Sequence, residues 1–285
     1  MSNSNILALI DGSAYSESLC HYVGWIAARS AASVELTHVL GRREGGAEQD
    51  LSGSIRLGAR TALLEELSSL DAQRNKLAQA TGRAILEDGK AIVEQHGEIT
   101  VSTRLRSGDL IDTVSEREAS ASMLAIGKRG EAADFAKLHL GSNLERIVRA
   151  TSKPVFVANR AYSEPKKVLI AYDGGVSSMK AIDTVARDPL FAGLDVTVVT
   201  VGTESDSLRA DLDSAAATLA AGGHTATTKI VQGSPDHVLG DMTDHEGYDL
   251  LVMGAYGHSR IRSMIIGSTT TEMIRSCKVP IVLMK

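Results

Sequence analysis

One pattern occurs twice in this chain of 285 residues: an apolar run, a glycine-bearing loop, and a Gly-Ser start to a helical segment. Leu250 to Glu272 reads LLVMGAYGHSRIRSMIIGSTTTE, with glycines at 254, 257 and 267. Leu124 to Glu145 reads LAIGKRGEAADFAKLHLGSNLE, with glycines at 127, 130 and 141. The apolar runs have the length and character of buried strands. Glycine lets the backbone turn sharply and approach a ligand closely. A helix N-terminus behind such a loop offers unpaired N–H groups and a partial positive charge, a combination that suits phosphate. Thr269 and Glu272 fit a capping box, which places the later helix start at Ser268/Thr269. The pattern is not the P-loop, because GxxxxGK[ST] occurs nowhere in the sequence. The two copies differ in one respect: residues 258–266 fill the second gap in the later loop, whereas 131–140, one residue more, fill it in the earlier.

The repeat extends across the whole chain. Asn5 to Ile10 reads as a strand ending at Asp11-Gly12-Ser13, and Lys167 to Ala171 as a strand ending at Asp173-Gly174-Gly175. Each is followed by a helix, from about Ser16 and Ser177. Further strands are expected at Val34–Leu40, Ile99–Leu105, Met123–Ile126 and Pro154–Ala158, then at Val196–Val201, Thr225–Val231, Leu250–Met253 and Pro280–Met284. Gly108-Asp109 and Gly233-Ser234-Pro235 open helices, the second with proline in its first turn, where a missing N–H costs little. From Ile55 to Gln95 the pattern is helical, with Leu63, Leu67, Leu70, Leu77, Ala84 and Ala91 along one stripe. Gly82 and Gly89 interrupt it, so one long helix or two with a break fit equally. Asn159 to Lys166 (NRAYSEPK) reads as a linker. The expected units are therefore 1–160 and 166–285. Strands alternating with helices imply right-handed crossovers and a parallel sheet in each half, and the length suffices for two domains with cores of their own.

Composition narrows the function. Aromatic residues make up only 4% against 43% hydrophobic overall, so the cores are aliphatic, as in helix-covered parallel sheets. A net charge of −5 gives no electrostatic reason to expect nucleic acid or an anionic membrane as partner. The opening MSNSNILALIDGS lacks the basic segment and apolar run of a signal peptide, and no apolar stretch has spanning length. Cys20 and Cys277 form no CxxC pair and read as structural, and the eight histidines show no ligand spacing. A reduced, cytoplasmic compartment is expected.

In doubly wound sheets ligands bind beyond the carboxyl ends of the strands, where strand order reverses. With order 3-2-1-4-5 that crevice lies between the first and fourth strands. Asp11 and Asp173 end the first strands, and the glycine loops end the fourth. A carboxylate can accept hydrogen bonds from a ribose hydroxyl or an amino group, and the loop with Ser268 and Thr269 supplies donors for phosphate. The competing reading of Asp173 is a turn or helix cap. His258, Arg260 and Arg262 are within reach of a terminal phosphate but read more simply as solvated loop residues. No catalytic base, nucleophile, metal cluster or carboxylate pair stands out.

At these residues the chain resembles the universal stress protein family in its tandem, two-domain form. The resemblance implies two tandem doubly wound, five-stranded, Rossmann-like α/β domains that bind adenine nucleotides. Its most specific element is G-2x-G-9x-G-[ST], met by Gly254, Gly257, Gly267 and Ser268. Carried over, it implicates Asp173, Val201, Met253, Gly254, Gly257, Gly267, Ser268 and Thr269 in binding ATP or another adenine nucleotide, with or without magnesium. The matching first-half positions are Asp11, Val39, Gly127, Gly130, Gly141, Ser142 and Asn143, where the longer loop either bulges harmlessly or misplaces Gly141 and Ser142. The second half departs as well, since Gly175 stands where Ser13 supplies the D-x-S serine. The family's fifth strand commonly pairs domains, which implies an intramolecular pseudo-dimer, and a homodimer of chains is open. The implied role is a stress sensor or regulator with at most slow ATP hydrolysis. The alternative is a partner-docking module that binds no nucleotide, at least in the first half, with the long helix as contact surface. A true ATPase or nucleotidyl-transferring enzyme lacks an identifiable base and nucleophile.

Overall fold

Alternating apolar runs and amphipathic segments fold as parallel strands and covering helices in the computed structural model. It describes residues 4–41, 57–130, 142–255 and 267–285, with the backbone alone at 57–64 and 142. The first half runs β1 (Asn5–Leu9), α1 (Ser16–Ser30), β2 (Ser33–Gly41), α2 (Leu57–Glu94), β3 (Val101–Gly108), α3 (Leu110–Arg117), β4 (Met123–Gly127), α4 (Ser142–Ala150) and β5 (Val155–Ala158). The second half runs β6 (Lys167–Ala171), α5 (Val176–Arg187), β7 (Asp195–Val201), α6 (Asp206–Ala221), β8 (Ala226–Val231), α7 (Pro235–His245), β9 (Leu250–Gly254), α8 (Ser268–Ser276) and β10 (Ile281–Met284). Single 3-10 turns at Glu118–Ser120 and Pro189–Phe191 are additions that the sequence reading lacked.

All strands join one ten-stranded sheet, ordered β3-β2-β1-β4-β5-β10-β9-β6-β7-β8. Within each half the pairing is parallel and the order is 3-2-1-4-5. The halves meet where β5 and β10 pair antiparallel, Phe156 opposite Val282. Each of these strands thus covers what would otherwise be the other's open edge. Strand residues alternate between two cores, one on each face of the sheet. Ile6 and Ala8 join Val168 and Ile170 on one face, and Leu7 and Leu9 join Leu169 and Leu251 on the other. The cores therefore run through both halves, rather than closing off one per half as chain length suggested.

Side chains tie the seam together. Tyr22 of α1 packs on Phe156 and on Tyr162, with ring centroids 5.3 and 4.8 Å apart. Arg29 donates from Nε to the Leu190 carbonyl at 2.7 Å, and the Asn159 amide donates to the Lys278 carbonyl at 2.8 Å. Lys128 crosses from the end of β4 and donates from Nζ to the Cys277 carbonyl at the end of α8. Burial lowers the Lys128 pKa to about 8. The unfolded chain, whose lysines titrate near 10.5, therefore takes up the proton first as pH falls. The resulting stabilisation is full above that range and is lost as pH falls through about 8. We predict that between pH 8 and 10 the unfolding free energy of wild type gains about 2 kcal/mol relative to that of Lys128→Met, the opposing contributions of the buried thiols and the parallel one of Lys285 being common to both chains. Urea unfolding across this pH range checks it, and an unchanged slope in the variant contradicts it.

The long helix departs from expectation. It is one unbroken α2 of 38 residues, and of the stripe, Leu67, Leu70, Leu77, Ala84 and Ala91 face solvent, while the Leu63 side chain lies outside the described residues. The buried face carries Gly82, Leu86, Gly89 and Val93. The two glycines are contact points rather than weaknesses. A β-carbon at Gly82 would lie 2.7 Å from Leu105 Cδ1 and 2.9 Å from the His38 ring, and one at Gly89 3.0 Å from Ile10 Cδ1 and 3.1 Å from Cys20 Sγ. Their helix-propensity cost of about 1 kcal/mol each is accepted for close approach to the sheet. Cys20 and Cys277 are buried, and burial pushes the Cys20 thiol up to about 12 and raises that of Cys277. Among the described residues no helix is long and apolar enough to cross a membrane.

Candidate functional site

Both halves build the same turn after their first strand. Gly12 and Gly174 adopt φ of +77° and +75°, a left-handed conformation that follows each aspartate and favours glycine. Asp11 Oδ1 accepts from Ser13 N at 3.0 Å and Ser16 Oγ at 3.1 Å. Asp173 Oδ1 accepts from Gly175 N at 2.8 Å and Ser178 Oγ at 2.6 Å. The turn reading of Asp173 is therefore correct for one carboxylate oxygen, whereas the helix-cap reading is not, because Gly175 is the N-cap of α5 and no side chain of that residue caps it. The Ser-to-Gly departure at 175 leaves the backbone bond intact. What it removes is the hydroxyl, which in the first half accepts from Tyr15 N at 3.3 Å.

A cavity of about 660 Å³ opens at the carboxyl ends of β6, β7 and β9, at the strand-order reversal of the second half. Asp173, Val201, Met253, Gly254, Gly267, Ser268 and Thr269 all line it. The β6·β7 ladder ends at Ala171–Val199 while β7·β8 continues to Val201–Val231. The Val201 main chain thus reaches beyond its inner neighbour, into the crevice. Gly254 approaches α5 so closely that a β-carbon there would lie 2.5 Å from Ser177 Oγ. Gly254→Val would therefore disturb α5 as well as any ligand, which makes it a poor probe of binding.

The start of α8 corrects the capping-box expectation. The helix begins at Ser268 with Gly267 as N-cap, and no side chain among the described residues caps it. Thr269 already lies inside the first turn. Glu272 pairs with Arg275 at 2.7 Å, and the hydroxyl of Thr270 donates to the Gly254 carbonyl at 3.1 Å. The first helical hydrogen bond is Thr271 N to the Gly267 carbonyl, so the N–H groups before it have no acceptor within the helix. Gly267 N donates instead to the Ala255 carbonyl at 3.3 Å, and because Gly267, Ser268 and Thr269 line the cavity, the positive end of the helix dipole borders it. The α6 N-terminus is different, because Ser205 Oγ accepts from Leu208 N at 3.2 Å.

Sequence reasoning missed several lining residues: Tyr172, Gly202, Leu208, Asp211 and Leu239. Leu208 and Asp211 share one face of α6, and only knowledge of which face meets β7 could have singled them out. Burial, Asp211 and Asp173 together raise the Tyr172 hydroxyl pKa. None of the described lining residues is His, Cys, Lys or Arg; the ionisable groups there are the carboxyls of Asp173 and Asp211 and the Tyr172 hydroxyl. Gly257, His258, Arg260 and Arg262 lie outside the described residues, as does Gly141 in the first half.

In the first half, Asp11, Val39 and Gly127 occupy the corresponding strand ends, and Ser142 and Asn143 open α4. Gly130, however, folds onto Asp11: a β-carbon there would lie 2.8 Å from Asp11 Oδ2. Ser13 Oγ contacts the Arg129 carbonyl at 3.5 Å, and a β-carbon at Gly127 would lie 2.7 Å from Tyr15 Cβ. The two halves share a strand framework and the same close approach of the fourth-strand glycine to the first helix, Gly127 to Tyr15 and Gly254 to Ser177; the counterpart of Gly130, Gly257, lies outside the described residues.

Comparison with known proteins matches the family described as "Universal stress protein family" over residues 2–159 and 202–285. A universal stress protein, Slr1230, from Synechocystis is 34% identical over 281 residues, covering 97% of this chain and 98% of that protein. Among solved structures, a universal stress protein from Archaeoglobus fulgidus aligns with TM-score 0.71 at 19% identity, covering 100% of this chain and 99% of that one. A putative universal stress protein from Pseudomonas aeruginosa aligns with TM-score 0.61 at 16% identity, covering 100% and 94%.

Proposed function

Because this chain belongs to the universal stress protein family, we propose that it is a stress-response regulator that binds an adenine nucleotide, ATP foremost, in the cavity of its second half. The observation that carries this reading is the cavity's polarity. A carboxylate, Asp173, stands on one wall and the uncapped N-terminus of α8 on another, both within one volume of about 660 Å³. That arrangement favours a ligand with a hydrogen-bond-donating nucleoside end and an anionic end. In this reading the Val201 main chain meets the adenine, Asp173 the ribose, and Gly267, Ser268 and Thr269 the phosphates, with Met253 and Gly254 forming the floor. Magnesium would accompany the phosphates. The role is sensing or regulation with at most slow hydrolysis, in the cytoplasm, by two units, 1–160 and 166–285, acting as an intramolecular pseudo-dimer.

One observation favours a different role for the first half. Gly130 lies so close to Asp11 that a β-carbon there would stand 2.8 Å from Oδ2, the oxygen that would otherwise meet a ribose hydroxyl. This supports a docking function there without nucleotide.

Gly202 gives a test that spares the fold. Among the described residues a β-carbon there would meet only Leu208 Cδ2, at 3.9 Å, and both residues line the cavity. Gly202→Trp should fold normally and fill the nucleoside end. Equilibrium dialysis with ATP is expected to show at least about a hundredfold weaker binding, a loss near 2.7 kcal/mol. Undiminished ATP binding by a folded Gly202→Trp chain would exclude this cavity as the site.

A further inference from the structure

Helix α2 has two apolar faces, and the described chain covers one. Gly82, Leu86, Gly89 and Val93 are buried, whereas Leu67, Leu70 and Leu77 are 45%, 49% and 68% exposed. Every residue from 65 to 77 is exposed. At 38 residues the helix is about 57 Å long, and this part of it gains nothing from packing within the described chain, where most helical stability ordinarily originates. The exposed leucines are not scattered. In one heptad frame Leu67 falls at a, Leu70 at d, Arg74 at a and Leu77 at d, the spacing of a two-helix seam. Charge along the same stretch is divided. Glu65, Glu66 and Asp71 precede Arg74, Lys76 and Arg83.

We propose that a second copy of this chain covers this seam, the two α2 helices pairing antiparallel over residues 65–79. Centred between Leu67 and Leu77, the pairing sets Leu67 of each copy against Leu77 of the other and Leu70 against the Arg74 stem. Long arginine stems cover apolar surface while their heads stay in water. Antiparallel order places the acidic stretch of each helix beside the basic stretch of the other, whereas parallel order would set like charges together. This contact is remote in sequence from the second-half cavity and does not depend on nucleotide binding.

Sedimentation of the full chain at about 100 µM, where a micromolar complex is largely formed, tests it. Wild type is expected at twice the chain mass of 30.1 kDa. Leu70→Lys and Leu77→Lys are expected at the single-chain mass with an unchanged unfolding midpoint for the domains. Mixing Leu67→Cys chains with Leu77→Cys chains under mild oxidation should give a cross-linked pair, and Leu77→Cys chains alone should not. Cys20 and Cys277 are buried and add little background. A monomeric wild type overturns the proposal, as does a dimer that survives both lysine variants. Leu67→Cys chains that link to each other but not to Leu77→Cys chains overturn the antiparallel order.

Discussion

Ser268→Asp is expected to weaken ATP binding by two to three orders of magnitude while leaving the unfolding temperature unchanged or higher. Ser268 is the first residue of α8, exposed, with no side chain capping the turn it opens. A carboxylate there interacts favourably with the helix dipole, worth about 0.3–1 kcal/mol. It also stands where the phosphates are proposed to sit. A unit charge about 4 Å from another of the same sign costs about 4 kcal/mol at an effective dielectric near 20, close to a thousandfold in affinity. The two effects have opposite signs, so the variant separates ligand recognition from folding. Ser268→Asn supplies the neutral control and should keep affinity within about tenfold, under 1.4 kcal/mol. Calorimetric titration with ATP and a thermal melt of each variant check the pair. Equal loss of affinity in both variants would mean that shape rather than charge decides at this position.

Gly222→Ala is expected to cost about 3 kcal/mol or more of stability, or to prevent accumulation of folded protein. Gly222 ends α6 against the last turn of α5. A β-carbon built on it would collide with the Ala186 carbonyl oxygen and lie 2.7 Å from the carbonyl carbon. Both are backbone atoms held by a helix, so relief requires one helix to move relative to the other. Gly223 is the internal control. Its φ is +87° and nothing lies within 4 Å of a β-carbon there, so Gly223→Ala should cost only the left-handed penalty of about 1–2 kcal/mol. Urea unfolding of the two variants distinguishes backbone collision from backbone conformation. Equal destabilisation would contradict the close helix–helix contact.

The same comparison shows what kinds of information a sequence carries. The strands were legible because they are apolar and bounded by Asp-Gly or Gly-Ser turns, and the duplication checked each assignment against its counterpart. Lys167–Ala171 is placed as read, and Pro235 opens α7 as its position implies. The orientation of α2 was not legible. Its leucine stripe is more hydrophobic than the glycine-bearing face, and periodicity registers hydrophobicity, not proximity. Only the nearness of His38 and Leu105 to Gly82 reveals why a small residue is needed. The capping box failed for a related reason: Thr269 and Glu272 have the required spacing, but the chain enters the helix two residues earlier and Glu272 finds Arg275. At the site, residues at strand ends were legible from topology. Those on α6, such as Leu208 and Asp211, were not, because helix-face orientation depends on packing that a single sequence does not state.

Acid denaturation of freshly purified chain, followed by chromatography of the released small molecules and ATP titration of the stripped protein, tests the central claim most directly. The account predicts an adenine nucleotide in the supernatant, or saturable ATP binding by the stripped chain, and the loss of both in Ser268→Asp. No released nucleotide together with no ATP binding by a folded wild-type chain would contradict it, and the cavity of the second half would then need another occupant.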